Sequence, residues 1–131
     1  MKILIVEDDL TSRMLLLEFL RDYGQTHVAI NGEEAAEAVS ISLEQKDPYD
    51  LICLDIMMPK VDGHEALKKI REMEESEGIL STKGSKIVMT TALDDLKNVT
   101  ESYKNLCDGY LAKPIDGKKL IGELKKLELV E

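Results

Sequence analysis

The sequence predicts a doubly wound α/β domain in which helices cover both faces of a five-stranded parallel sheet. Short apolar runs of strand length alternate five times with longer segments whose apolar residues recur at helical spacing. The runs are continuously apolar, as is typical of parallel strands buried on both faces. Because 131 residues, 44% of them hydrophobic, suit one compact core, we expect a single domain over residues 1–131.

The first two strand–helix units occupy the first third of the chain. KILIV at residues 2–6 predicts the first strand, and the helical stripe that follows it ends at Gly24. THVAI at residues 26–30 predicts the second strand. Residues 31–46 predict the second helix, because their apolar residues recur at helical spacing until DPYD breaks the pattern.

Three further units complete the pattern. LICL at residues 51–54, KIVMTT at 86–91 and GYLA at 109–112 predict the remaining strands. The helix after each strand is marked by apolar residues at helical spacing, namely Ala66, Leu67, Ile70 and Met73, then Leu96, Val99, Tyr103 and Leu106, and finally Leu120, Leu124 and Leu127. The small and polar residues at 76–85 predict an extended, solvated loop without function.

The composition argues against several classes of partner. The 17 basic and 26 acidic residues give a net charge of -9, and the basic residues form no stripe that would follow nucleic-acid phosphates. No stretch approaches membrane-spanning length and the first residues are too short for a signal-peptide core, so we expect a soluble, cytoplasmic protein. Cys53 and Cys107 lie far apart without a CxxC motif, which favours two buried thiols in a reducing compartment over a disulfide or a metal pair.

Polar residues gather where the predicted strands end, which is where open α/β sheets bind ligands. These residues are Glu7, Asp8 and Asp9 after strand one, Asp55 after strand three, Thr90 and Thr91 after strand four, and Lys113 and Pro114 after strand five. Any one of them could simply cap a turn or a helix. Capping alone does not explain why carboxylates and a lysine converge on the same end of one sheet.

Converging carboxylates require a positive partner. At ~4 Å and an effective dielectric near ~20, each pair repels by ~4 kcal/mol. Carboxylates without Cys or His suggest a hard cation, Mg²⁺ above the softer metals. A lysine, a threonine hydroxyl and Mg²⁺ together would complement a phosphoryl group. Which residue accepts that group stays open at this point, although a carboxylate can act as a nucleophile toward phosphorus.

Four segments in register, ILIVEDD, LICLDIMMPKVDG, IVMTTA and YLAKPI, resemble the receiver domain of bacterial response regulators over essentially the whole chain. The resemblance implies the flavodoxin-like strand order 2-1-3-4-5, which makes strands one and three neighbours. Glu7 and Asp8 would then meet Asp55. The same order puts strand four between Cys53 and Cys107, so we expect no disulfide.

The resemblance also implies a role for each polar residue at this end of the sheet. Asp55 would be the phosphoacceptor, and Mg²⁺ would be bound by Glu7, Asp8, Asp55 and the backbone carbonyl of Met57. Thr91 would supply the switch hydroxyl, and Lys113 would form an ion pair with the phosphoryl group. Tyr110 would be the aromatic rotamer switch. A cis peptide is implied before Pro114. Pro59 and Gly63 would shape the loop that turns over the metal into helix three.

Several positions depart from the family pattern or vary within it. Glu7 stands where Asp is common, and Leu106 stands where a helix-ending Gly is usual, so we expect Asn105 to take the left-handed turn. Two positions flank the path of the water that hydrolyses the aspartyl phosphate, and here they are Met57 and Leu93. Because neither side chain can orient water, we expect slow self-dephosphorylation.

The implied function is that of a phosphorylation-activated switch in a two-component phosphorelay, not an enzyme. A histidine kinase or histidine phosphotransfer protein would donate to Asp55, and the face of helix four, strand five and helix five would control a downstream protein or an attached effector domain. Two alternatives are a Mg²⁺-dependent phosphatase or phosphotransferase with an Asp nucleophile, and a binding module that is not phosphorylated. The sequence fits either a stand-alone receiver or a fragment of a longer regulator.

Overall fold

A computed structural model describes residues 1–57, 63–79, 83–103 and 106–131, with the backbone alone for Ser102. Five parallel strands form one sheet in the order β2-β1-β3-β4-β5, which confirms the predicted fold class and strand order. The strands are β1 Lys2–Val6, β2 Gln25–Ala29, β3 Leu51–Asp55, β4 Lys86–Ala92 and β5 Gly109–Lys113. The helices are α1 Leu10–Leu20, α2 Gly32–Glu44, α3 Gly63–Ser76, α4 Leu96–Tyr103 and α5 Gly117–Lys126.

The predicted elements differ from the observed ones only at their ends. Strand β2 begins and ends one residue earlier than expected, and β3, β4 and β5 each extend one residue further. Polar side chains cap the first turns of three helices, α1, α2 and α5, shortly after the strands that precede them. Asp9 accepts from the Ser12 amide at 2.9 Å, Asn31 accepts from the Glu34 amide at 2.9 Å, and Asp116 caps α5. The NGEE stretch at residues 31–34 therefore begins α2, with Asn31 as its cap.

The pleat of the sheet divides the core into two layers, because successive side chains of a strand point to opposite faces. Against α1 and α5 lies one set of buried strand residues, namely Ile3, Ile5, Leu51, Cys53, Val88 and Leu111. Against α2, α3 and α4 lies the other set, namely Leu4, Val6, Ile52, Leu54, Ile87 and Met89. The residues that end each strand continue the same alternation. Their place in it decides whether a side chain points toward α1 and α5 or toward α2, α3 and α4.

A cluster of charged and polar residues, which we call the Arg71 cluster, joins α3 to the amino ends of β4 and β5. Its members are Arg71, Glu74, Ser85 and Asp108. The Arg71 guanidinium donates to Glu74 Oε1 at 2.7 Å, to Asp108 Oδ2 at 3.0 Å and to the Ser85 carbonyl at 3.0 Å. It also donates to the Leu106 carbonyl at 2.8 Å. The cluster lies at the end of the sheet opposite to the predicted site.

The expectation of a wholly solvated loop at 76–85 is wrong at its carboxyl end. Ser85 is buried, its amide donates to Glu74 Oε2 at 2.7 Å, and its hydroxyl donates to the Tyr49 carbonyl at 2.6 Å. The buried Glu74 carboxylate needs the Ser85 amide as a donor, so this part of the loop stabilises the fold. Residues 80–82 lie outside the described part of the chain, as does Asn105, for which a left-handed turn was expected.

Two expectations about the whole chain can be compared with the structure. Cys53 and Cys107 are both free thiols, and Cys53 is buried as expected, whereas Cys107 is only partly buried. Within the described ranges, no helix combines the length and the apolar character that crossing a membrane requires.

Candidate functional site

Three carboxylates meet at the carboxyl end of the sheet. Glu7 and Asp8 follow β1, Asp55 ends β3, and the two strands pair in parallel. One oxygen from each carboxylate lies within 4.8 Å of the other two. Glu7 and Asp55 are buried, whereas Asp8 is exposed at the mouth of the site. This strand pairing therefore produces an acidic pocket that opens to solvent on the Asp8 side.

Lys113 provides the positive charge of the site. Its Nζ donates to Glu7 Oε1 at 3.0 Å and to Asp55 Oδ2 at 3.2 Å, so it bridges two carboxylates. Burial disfavours the charged ammonium, but the hydrogen bond to Glu7 and the negative charges of Asp55 and Glu7 outweigh burial and raise the pKa of Lys113. The peptide bond to Pro114, directly after Lys113, is cis as the family resemblance implies.

The burial of Glu7 in the pocket carries an electrostatic cost. Burial raises its pKa to about 7, although the hydrogen bond from Lys113 lowers it, and the charge of Asp55 raises it further. Glu7 Oε1 also accepts from the Asp9 amide at 3.1 Å, but Oε2 is buried without a hydrogen-bond partner among the described residues. An unpartnered buried oxygen in an oxygen-only donor set fits a hard divalent cation.

The loop after β3 fixes the Asp55 carboxylate from its other side. The Met57 amide donates to Asp55 Oδ1 at 3.2 Å, and the Gly63 amide donates to the Ile56 carbonyl at 3.0 Å. A side chain at Gly63 would overlap the backbone of Asp55 and Ile56, so only glycine allows α3 to begin so close to the strand. Pro59, expected to shape the same loop, lies outside the described residues.

Thr91 and Tyr110 belong to the other face of the sheet. Thr91 follows Met89 in the alternation of β4, so its side chain points toward α3 and α4 rather than toward Asp55. The Thr91 hydroxyl is buried and has no partner among the described residues. The half-buried Tyr110 donates its hydroxyl to the Thr100 carbonyl of α4 at 3.2 Å. The structure thus places both side chains on the α3 and α4 side of the sheet, and among the described residues neither has a hydrogen bond to the acidic pocket.

Sequence reasoning missed one contact of the site. The Arg13 guanidinium donates to the Glu7 carbonyl at 3.2 Å, which joins the first turn of α1 to the end of β1. Its position four residues after the helix cap Asp9 was the available signal, since that spacing places Arg13 on the same side of α1 as the cap. Thr90 was named among the polar residues at the strand ends, but its strand register with Asp55 cannot be obtained from the sequence pattern alone.

Comparison with known proteins places this site in a family. The family model of the response regulator receiver domain matches residues 3–125. The chain is 33% identical over 126 residues to the probable transcriptional regulator ycf29 of Porphyra purpurea, covering 95% of the chain and 55% of that protein. It is 36% identical over 134 residues to the hybrid signal transduction histidine kinase B of Dictyostelium discoideum, covering 98% of the chain and 7% of that protein.

Solved structures give the same assignment. The receiver domain of the histidine kinase CKI1 from Arabidopsis thaliana, complexed with Mg²⁺ and BeF3⁻, is similar with a TM-score of 0.80 and 25% identity, covering 97% of this chain and 89% of that one. The chain spans about half the length of the first curated relative and a small part of the second. Because the family model and both relatives extend along nearly all of its length, the protein belongs to the response regulator receiver domain family.

Proposed function

We propose that residues 1–131 act in the cytoplasm as one phosphoacceptor domain, and that Asp55 accepts a phosphoryl group from a histidine kinase or histidine phosphotransfer protein. The observation that carries this proposal is the bridging of Asp55 and Glu7 by Lys113 beside Asp8. A buried nucleophilic carboxylate at the end of a rigid strand, next to a fixed cation, suits phosphoryl transfer. The domain signals through protein contacts and turns over no small substrate.

In the proposed transfer, an Asp55 carboxylate oxygen attacks phosphorus, the nitrogen–phosphorus bond of the donor phosphohistidine breaks, and the departing imidazole takes up a proton. The Met57 amide and Lys113 hold the carboxylate so that its orientation costs little at that moment. Lys113 also faces the negative charge that gathers on the phosphoryl oxygens. Mg²⁺ would be held by Glu7, Asp8, Asp55 and the Met57 carbonyl, and it would neutralise phosphoryl charge.

The decisive experiment incubates the protein with MgCl₂ and acetyl phosphate and measures the intact mass. We expect one added phosphoryl group, and we expect Asp55→Asn to take up none because an amide is not a nucleophile toward phosphorus. Release of inorganic phosphate in many turnovers, without an accumulating adduct, would favour the phosphatase alternative. An unmodified wild-type protein would instead favour the binding module.

Mg²⁺ is expected to raise the melting temperature of the protein, because a cation that binds only the folded pocket relieves repulsion among Glu7, Asp8 and Asp55. Asp8→Asn should remove most of this response, since it deletes the most accessible of the three carboxylates. Thermal melts across millimolar MgCl₂ test this, with KCl at equal ionic strength as the control. A wild-type melting curve that Mg²⁺ leaves unmoved would contradict the proposed metal site.

Thr91→Ala is expected to accept the phosphoryl group but lose the conformational response that follows. In the proposed switch, Thr91 moves toward the phosphoryl group and Tyr110 leaves its bond to Thr100 and turns inward, which shifts the population of the face formed by α4, β5 and α5. Backbone amide NMR shifts for residues 91–103 and 106–113 measure this change. Equal shift changes in Thr91→Ala and in the wild type would refute the role of Thr91.

A further inference from the structure

Thr90 buries a hydroxyl group that the resting fold does not use. Its side chain is 1% exposed, and its Oγ1 has no hydrogen-bond partner among the described residues. An unsatisfied buried hydroxyl costs about 1–3 kcal/mol, whereas valine would fill the same space without that cost. Thr90 therefore carries its hydroxyl at the expense of stability. This cost points to a hydrogen-bond partner that the hydroxyl gains in another state of the protein.

The strand register places this hydroxyl inside the site. Thr90 pairs with Asp55 on one side and with Leu111 on the other, so its side chain lies on the same face of the sheet as theirs. Lys113 follows Leu111 on that face. Since β4 lies between β3 and β5, the Lys113 side chain must cross β4 to reach Asp55. Thr90 is the β4 residue that pairs with Asp55, so the Lys113 side chain crosses β4 close to Thr90.

Lys113 has capacity for one more hydrogen bond. An ammonium group has three N–H donors, and within the described ranges two of them have partners, Glu7 and Asp55. A phosphoryl group on Asp55 would place new negative oxygens further from β3, and the ammonium would turn from Glu7 toward them. That movement breaks one of its two charge-assisted bonds, so a nearby neutral acceptor would keep the ammonium in place.

We propose that Thr90 is a positioning residue of this site, whose hydroxyl accepts a hydrogen bond from the Lys113 ammonium when the ammonium turns from Glu7 toward the phosphoryl group. This inference rests on the proposed function, since it concerns the transfer to Asp55. Thr90 acts through Lys113 and touches no reacting atom. It is distinct from Thr91, whose side chain lies on the opposite face of the sheet.

The test compares Thr90→Val, which keeps the shape and removes the hydroxyl, with Thr90→Ser, which keeps the hydroxyl. We expect Thr90→Val to take up the phosphoryl group from acetyl phosphate about tenfold more slowly than the wild type, as loss of one hydrogen bond to a charged group would cause. Thr90→Ser should retain a rate close to wild type. Thr26→Val on the edge strand β2 makes the same substitution away from the site and should leave the rate unchanged.

Two further readouts separate positioning from folding. Thr90→Val should melt at the wild-type temperature or above it, because it removes an unsatisfied buried hydroxyl. Its melting temperature should rise with Mg²⁺ as much as that of the wild type, since the proposed metal ligands are untouched. A wild-type rate in Thr90→Val, or an equal loss in Thr90→Ser, would overturn this inference alone. A wild type that takes up no phosphoryl group would overturn the proposed function and this inference with it.

Discussion

The double variant Met57→Asn with Leu93→Glu is expected to lose its phosphoryl group about 10²-fold faster than the wild-type protein, the lower range of general acid–base assistance. Met57 and Leu93 are 71% and 69% exposed, so both side chains are available to shield a neighbouring group. Met57 lies in the loop that follows β3, Leu93 lies directly after the end of β4, and the family resemblance puts both beside the path of the attacking water. In the wild type they can shield the phosphoryl group and cannot orient a water molecule. An amide and a carboxylate in their places can do so.

The decay is measured by intact mass after removal of the phosphodonor. Met57→Leu with Leu93→Met is the matched control, because it changes both side chains and keeps them apolar, and its half-life should stay close to wild type. The Met57 amide that holds Asp55 belongs to the backbone and is retained in every variant. The hypothesis of an apolar barrier is wrong if the polar double variant decays as slowly as its control, or if the wild type already decays within seconds.

Arg71→Met is expected to lower the free energy of unfolding by about 3–5 kcal/mol, the range found when one partner of a buried ion pair is removed. The substitution keeps an unbranched side chain but leaves the buried Glu74 carboxylate without its cation. Asp108 loses the same partner and retains the Ile87 amide at 2.8 Å. The carbonyls of Ser85 and Leu106 also lose a charged donor. A single substitution therefore affects four groups.

Urea unfolding followed by circular dichroism measures this loss. Arg21→Met is the matched control, because Arg21 is also paired at i,i+3 spacing, with Glu18, but on the surface, where an ion pair contributes about 0–1 kcal/mol. The double variant Arg71→Met with Glu74→Gln should recover part of the loss, since it removes the uncompensated charge. Equal unfolding midpoints for Arg71→Met and Arg21→Met would show that the Arg71 cluster does not stabilise the fold.

Local periodicity was sufficient to predict the strands, the helices and the fold class, whereas the strand order 2-1-3-4-5 came from the family resemblance. With β1 and β3 as neighbours in that order, the meeting of Glu7, Asp8 and Asp55 was predictable, since the residues that end neighbouring parallel strands share one edge of the sheet. The Arg71 cluster was not predictable. Its contacts to Ser85 and Asp108 join residues whose separations along the chain follow no periodic pattern, and each residue alone resembles a solvated surface residue.

The sequence also could not separate the two threonines that end β4. Two consecutive threonines in a strand show only that their hydroxyls lie on opposite faces of the sheet. Pairing with Asp55 in the sheet identifies Thr90 as the residue on the side of the pocket and leaves Thr91 toward α4. Register depends on packing of the whole sheet, so the choice requires the three-dimensional structure.

This division by the pleat of β4 has an evolutionary consequence. Under the proposed function, Asp55 and Lys113, which take part in phosphoryl transfer, point to the α1 and α5 side, and the switch residues Thr91 and Tyr110 point to the α3 and α4 side. Substitutions at one threonine can therefore alter reaction rate while the neighbouring residue preserves recognition of the target. Descendants of this domain could diversify in signal duration and in choice of partner along independent mutational paths, although the two determinants are adjacent in the gene.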